Sequence, residues 1–179
     1  GLISLALLTT LLYHLTENLL ASTLVVFVFG LTRFVWIHHV IAEVYSFGLA
    51  IQVILLMLAF WRKPFRHRII LMAFIGGVGV AHHRGIGLAI PALLYATFPQ
   101  IWKDIRQRWW IIGLWLVAGI IGFIPYLYLP LQASRGVEWV YGEPNSWDGF
   151  WTQFNAIEFG HIVGIPETTQ DFLNNIDQF

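Results

Sequence analysis

The chain has 179 residues, of which 58% are hydrophobic and only 11% charged, whereas soluble domains carry about 25% charged residues. That balance excludes an ordinary soluble fold, and the repeated long apolar runs call for an all-α, polytopic transmembrane helical bundle. A formal net charge of zero removes any bulk attraction to nucleic acid, and the absence of cysteine removes disulfides and thiolate metal sites.

The first apolar stretch, Leu2 to Tyr13, reads as the tail of a span that begins before Gly1, and the chain as part of a longer membrane protein. Thr16, Glu17 and Asn18 form a polar break. A second run, Ser22 to Val35, ends at Arg33, Trp36, His38 and His39. The third, Tyr45 to Trp61, is long enough for one span at 1.5 Å per residue. It gives way to a basic cluster of Arg62, Lys63, Arg66 and Arg68 around Pro64. Two apolar arms follow, Ile69 to Ala81 and Gly85 to Phe98, with His82, His83 and Arg84 between them. A second basic cluster holds Lys103, Arg106 and Arg108, and a last span runs from Trp109 to Leu129. Several of the nine tryptophans fall near the span ends, where amphipathic rings favour the interface.

Lysine and arginine set the orientation, and seven of the ten lie in the two clusters, which the positive-inside rule places in the cytoplasm. An even number of crossings must separate them, so the stretch from Ile69 to Phe98 is predicted to be a hairpin. Each arm, at about 13 residues and roughly 20 Å, is short of the roughly 30 Å hydrocarbon core. The His82 turn is therefore predicted to be recessed in a polar cavity on the extracytoplasmic side, where ionisable groups and irregular backbone are tolerated. Gly76, Gly77, Gly79, Gly85 and Gly87 would allow close packing there.

Residues 1–130 read as a partial transmembrane domain and residues 131–179 as an extracytoplasmic loop. In that loop Gly142, Glu143, Pro144 and Asn145 are turn residues. Asn145 or Ser146 caps a predicted helix whose Trp147, Phe150, Trp151 and Phe154 recur at i, i+3, i+4 and i+7. This amphipathic helix is expected on the membrane surface or at the cavity mouth. Phe172, Leu173, Ile176 and Phe179 form a weaker pattern of the same kind.

The candidate site residues are Glu43, Tyr45, His82, His83, Arg84 and Arg135. Glu43 opens an apolar span where the helix dipole favours a carboxylate; it can orient a base or bind a hydroxyl, or simply satisfy backbone. Adjacent histidines point about 100° apart, so neither His38–His39 nor His82–His83 offers both rings to one ion. One ring from each pair with Glu43 could form a zinc-type site, but nothing matches His-Glu-x-x-His, and a divalent metal is not favoured. Arg84 and Arg135 are cations near membrane depth and suit a lipid-linked phosphate; ion pairs with Glu43 or Glu138 are the structural alternative. Tyr126, Tyr128, Trp139 and Tyr141 are either interface anchors or sugar platforms.

Phe34-x-Trp36, Ala42-Glu43-Val44-Tyr45-Ser46 and Gly79-x-Ala81-His82-His83-Arg84 resemble an uncharacterised-domain family of polytopic membrane proteins. So do Tyr126-x-Tyr128-Leu129-Pro130-Leu131-x-Ala133 and Tyr141-Gly142-Glu143-Pro144-x-x-Trp147-x-Gly149-Phe150-Trp151. That family is related to the protein O-mannosyltransferases and other GT-C membrane glycosyltransferases, although it shows Trp-Gly where this chain has Tyr141-Gly142. The resemblance implies a GT-C-like bundle with short paired helices. It also implies transfer of a sugar, mannose above all, from a polyprenyl-phosphate donor to a protein, lipid or glycan acceptor on the extracytoplasmic face. It puts the catalytic acid in a first outer loop ahead of Gly1 and leaves here the donor-phosphate and cavity-lining half, with Glu43, His83, Arg84 and Arg135 as contributors. The competing reading is a transporter or lipid flippase, since intramembrane His, Glu and Arg also mark substrate and proton pathways. A structural membrane subunit is the third.

Overall fold

The computed structural model describes residues 1–40, 45–61, 63, 65–136 and 143–155, apart from the side chains of His39 and Val40. Among these every regular element is helical, so the fold is all-α. The chain divides into two units, Gly1–Tyr126 and Leu127–Phe179.

In the first unit, α1 (Leu2–Thr16) ends where Glu17 turns left-handed at φ 57°. Asn18 then caps α2 (Leu19–Leu31) by accepting a hydrogen bond from the Ala21 amide at 3.0 Å. A two-residue connection forces α1 and α2 to run antiparallel, and Leu5 packs at Gly30 accordingly. The apolar run does not continue to Val35 as one helix. Thr32 is extended, and its hydroxyl and amide both bond the Phe29 carbonyl, which ends α2. A threonine that offers the backbone such a local partner competes with the helical ladder. The chain restarts as α3 (Arg33–Val40).

Helix α4 (Tyr45–Ala59) lies parallel to α1: Ser4 Oγ donates to the Ser46 carbonyl at 2.6 Å near the two N-termini. His14 stacks on Trp61 near the two C-termini. Helix α5 (Arg68–His82) returns antiparallel to α4. Arg68, 5% exposed, directs Nη1 at the carbonyls of Leu58 and Ala59, 3.4 Å from each. A cation at those terminal carbonyls satisfies orphan acceptors and complements the helix dipole.

The chain turns at His83 and descends through a 3-10 helix, Arg84–Ala89, into α6 (Ile90–Gln107). Gln100 Nε2 donates to the Phe65 carbonyl at 3.2 Å, 35 residues back, so Ile69 to Phe98 doubles back and brings both basic clusters to one end. The returning arm is longer than the spacing of polar residues implied. Helix α6 runs through Pro99 and keeps Lys103, Asp104 and Arg106 helical. Proline removes one ladder hydrogen bond. An inward stripe of Leu93, Thr97 and Asp104, all buried, together with the Gln100 tie, holds the helix in place despite that loss.

Helix α7 (Ile111–Phe123) packs parallel to α5 with backbones in contact. A Cβ at Gly77 would collide with the Gly119 carbonyl, and one at Gly122 with the Phe74 carbonyl, so both positions need glycine. Pro125 then lies in a 3-10 helix, Ile124–Leu127, where its missing amide costs the ladder least. The buried core joins Ile51, Leu55 and Ala59 of α4 to Ile69 and Met72 of α5, with Ile86 and Leu93 below the turn.

Two helical stretches, Arg84–Gln107 and Ile111–Ser134, each of 24 residues, are long and apolar enough to cross a membrane. Leu116 and Ile120 of α7 are 63% and 66% exposed, so this helix presents apolar surface rather than a packed core face.

In the second unit, α8 (Tyr128–Ser134) ends at Arg135, and α9 (Trp147–Asn155) starts from Ser146. Ser146 Oγ accepts from the Gly149 amide at 3.0 Å, so Ser146 is the residue that caps the helix. Trp147, Phe150, Trp151 and Phe154 form one ring cluster along α9. The pattern from Phe172 onward lies outside the described residues.

Candidate functional site

The site is built around the end of α5. The His83 amide closes the last turn on the Gly79 carbonyl at 2.8 Å, and the residue is then extended at φ −153° and ψ 112°. Its imidazole Nδ1 accepts a hydrogen bond from the Gly85 amide at 3.2 Å, so His83 acts as the cap of the 3-10 helix. A Cβ at Gly85 would stand 2.9 Å from ring atoms Cε1 and Nδ1, which explains glycine there. Ile86, buried one step further, anchors the corner against Ile51 and Gly79.

The adjacent rings diverge as helix geometry requires. His82 meets Phe47 edge-on at 4.8 Å, whereas His83 lies 5.8 Å from Tyr45. Tyr45 in turn packs at 4.4 Å on His38, which meets Phe34 at 4.5 Å. Ser46 Oγ donates to the His38 carbonyl at 3.3 Å, tying α3 to the start of α4. Gly48, with His82 and Ile86 beside it, leaves room for the two helices to approach.

These groups enclose a cavity of about 400 Å³. Its lining is almost wholly apolar, with Phe29, Phe34, Val35 and Leu49 among the residues around it and His38, Tyr45, Gln52 and His83 the polar residues that contribute to the wall. That volume lies in the range typical of small-molecule sites, roughly 300–1,000 Å³. A second cavity, about 240 Å³ beside Tyr13 and Trp61, falls below it.

Of the six sequence candidates, Tyr45 and His83 line the cavity and His82 stands behind it on Phe47. Arg84 is exposed at the start of the 3-10 helix and acts electrostatically on the Tyr126 phenol. Arg135 follows α8 in the second unit. Glu43 lies outside the described residues, as do Glu138, Trp139 and Tyr141. Among the described residues, no three His, Asp or Glu side chains gather at metal-binding distance.

Gln52 was missed by reasoning from the sequence. A signal for it exists: it is the one amide in α4, and with Tyr45, Gly48 and Leu49 it falls at i, i+3, i+4 and i+7 on one face. His38, one half of a histidine pair that could offer a ring to a metal, serves as the ring between Phe34 and Tyr45.

At the other end of the bundle Arg68 and Asp104 are buried, while Arg66, Lys103 and Arg106 are exposed. Asp104, 7% exposed, lies 3.7 Å from Arg108, and Arg106 sits over the Trp102 ring at 5.1 Å. Comparison of the chain with known protein families, with curated proteins and with solved structures yields no match.

Proposed function

We propose that this chain is part of a multi-pass membrane glycosyltransferase of the GT-C kind. In this reading it takes a sugar, mannose first among the candidates, from a polyprenyl-phosphate donor and passes it to an acceptor on the extracytoplasmic face. The observation that carries the proposal is the broken helix at His83, which sets an imidazole and an arginine beside an aromatic cavity at the end of the bundle away from the basic clusters. Such transfer needs a cation for the departing lipid phosphate, and the Arg84 guanidinium is suited to that chemistry. The alternating helix directions and the gathering of basic residues at one end support a multi-pass arrangement with the site outside. The exposed apolar surface of α7 supports contact with lipid.

A transporter or flippase would need a polar path from one end to the other. Below the cavity the described residues instead form the apolar cluster of Ile51, Leu55, Leu93 and Met72, which favours the transferase.

The test is sugar transfer from a polyprenyl-phosphate mannose donor by the full-length protein in membranes. Arg84→Ala should raise the donor KM by about tenfold or more, the equivalent of one charge-assisted hydrogen bond, and leave thermal unfolding close to that of the wild type. Loss of stability with an unchanged donor KM would make Arg84 a structural residue.

A further inference from the structure

We infer that the basic end of the helical unit is a binding face for anionic phospholipid, whose phosphates are held between the α4–α5 connection and the end of α6. This surface lies away from the cavity, and the inference does not depend on what the protein transfers. Gln100 Nε2 donates to the Phe65 carbonyl at 3.2 Å, which ties the connection to α6. Arg66 follows directly on Phe65, and Lys103 lies about one turn beyond Gln100, so two clusters far apart in sequence meet at one place. Lys63, Arg66, Lys103 and Arg106 are all exposed. The described carboxylates at this end offset little of that charge: Asp104 is buried beside Arg108, and Glu17 at the end of α1 is the other.

Helix electrostatics does not account for these charges. Lys63 and Arg66 precede the N-terminus of α5, the helix end at which a cation is disfavoured. Their neighbour Arg68, by contrast, is buried on the last carbonyls of α4. Depth points to lipid as the partner. One stretch long and apolar enough to cross a membrane ends at Gln107 and the next begins at Ile111, so Lys103, Arg106 and the link between the stretches fall at headgroup level. Trp102, Trp109 and Trp110 are exposed there, as amphipathic rings at an interface are. Arg106 stacks on Trp102 at 5.1 Å, which occupies a face of the guanidinium and not the N–H edge by which arginine forks onto phosphate. A soluble acidic partner would have to reach these cations past the headgroups themselves.

The test uses the full chain in neutral detergent with equimolar phosphatidylglycerol and phosphatidylcholine of the same acyl chains, the retained lipids being counted by native mass spectrometry. The wild type should retain phosphatidylglycerol in excess, and the excess should shrink as salt is raised. A cation near a lipid surface is worth about fivefold in affinity. Lys63→Gln, Arg66→Gln, Lys103→Gln and Arg106→Gln combined should therefore cut the excess about tenfold or more. All four side chains are exposed, so this variant should unfold at the wild-type temperature in phosphatidylcholine nanodiscs. Should it fail to fold, Arg66→Gln and Lys103→Gln read singly should each lower the excess about two- to fivefold. Arg33→Gln removes an exposed charge at the opposite end and should leave the excess unchanged. Equal retention of the two lipids by the wild type, an excess that survives the substitutions, or an equal fall in Arg33→Gln would overturn the inference. Displacement of the retained lipid by poly-glutamate would make an acidic protein the partner and overturn it too.

Discussion

The two ends of the helical unit use the same residue types in opposite ways. At the basic end, Arg68 is buried against the last carbonyls of α4, Gln100 reaches back to Phe65, and Asp104 lies beside Arg108. At the histidine end, His83 spends one nitrogen on its own turn and turns its ring to a cavity, while Arg84 is exposed. The difference teaches that polar groups in an apolar chain are not all functional. Those buried against helix termini hold the bundle, whereas those at a broken helix stand at a cavity and its surface.

Substitutions should separate the two ends, and the largest effect belongs to the basic end. Arg68→Ala leaves the Leu58 and Ala59 carbonyls without their buried cation and should cost about 2–3 kcal/mol in denaturant unfolding. A loss of donor affinity without loss of stability would erase the contrast. The α5–α7 seam comes next. Gly77→Ala drives a Cβ into the Gly119 carbonyl and should destabilise by about 1–3 kcal/mol. Gly119→Ala, whose Cβ would have only the Ala73 carbonyl near it at 3.6 Å, should be close to neutral. Equal costs for the pair would show that the two helices do not meet in this register. The smallest stability effect should come from Gln52→Leu, within about 0.5 kcal/mol because the site is half-buried in apolar surroundings. The same change should still lower sugar transfer, and full activity would remove Gln52 from the site.

Much of this was legible in the sequence because it is local. The breaks at Asn18 and His83 follow from polar residues interrupting apolar runs, and the doubling back follows from where lysine and arginine lie. The length of α6 was hidden because Pro99 and Lys103 look like an ending. What overrides them is tertiary: the Gln100 tie to Phe65 and the burial of Asp104. The stop at Thr32 was hidden for a different reason, since one hydroxyl bonding to Phe29 leaves no mark on hydrophobic periodicity. The ring series Phe34, His38, Tyr45 and His83 joins three separate elements, so no sequence window contains it.

The chain has no cysteine, so single cysteines can be placed in the full-length protein against a clean background. Arg84→Cys and Lys103→Cys, probed in sealed membranes with an impermeant thiol reagent, test whether the turn at His83 and the basic clusters lie on opposite sides. Residue 84 should label from outside and residue 103 only after the membrane is opened. Labelling of both from the same side would contradict the topology on which the site depends.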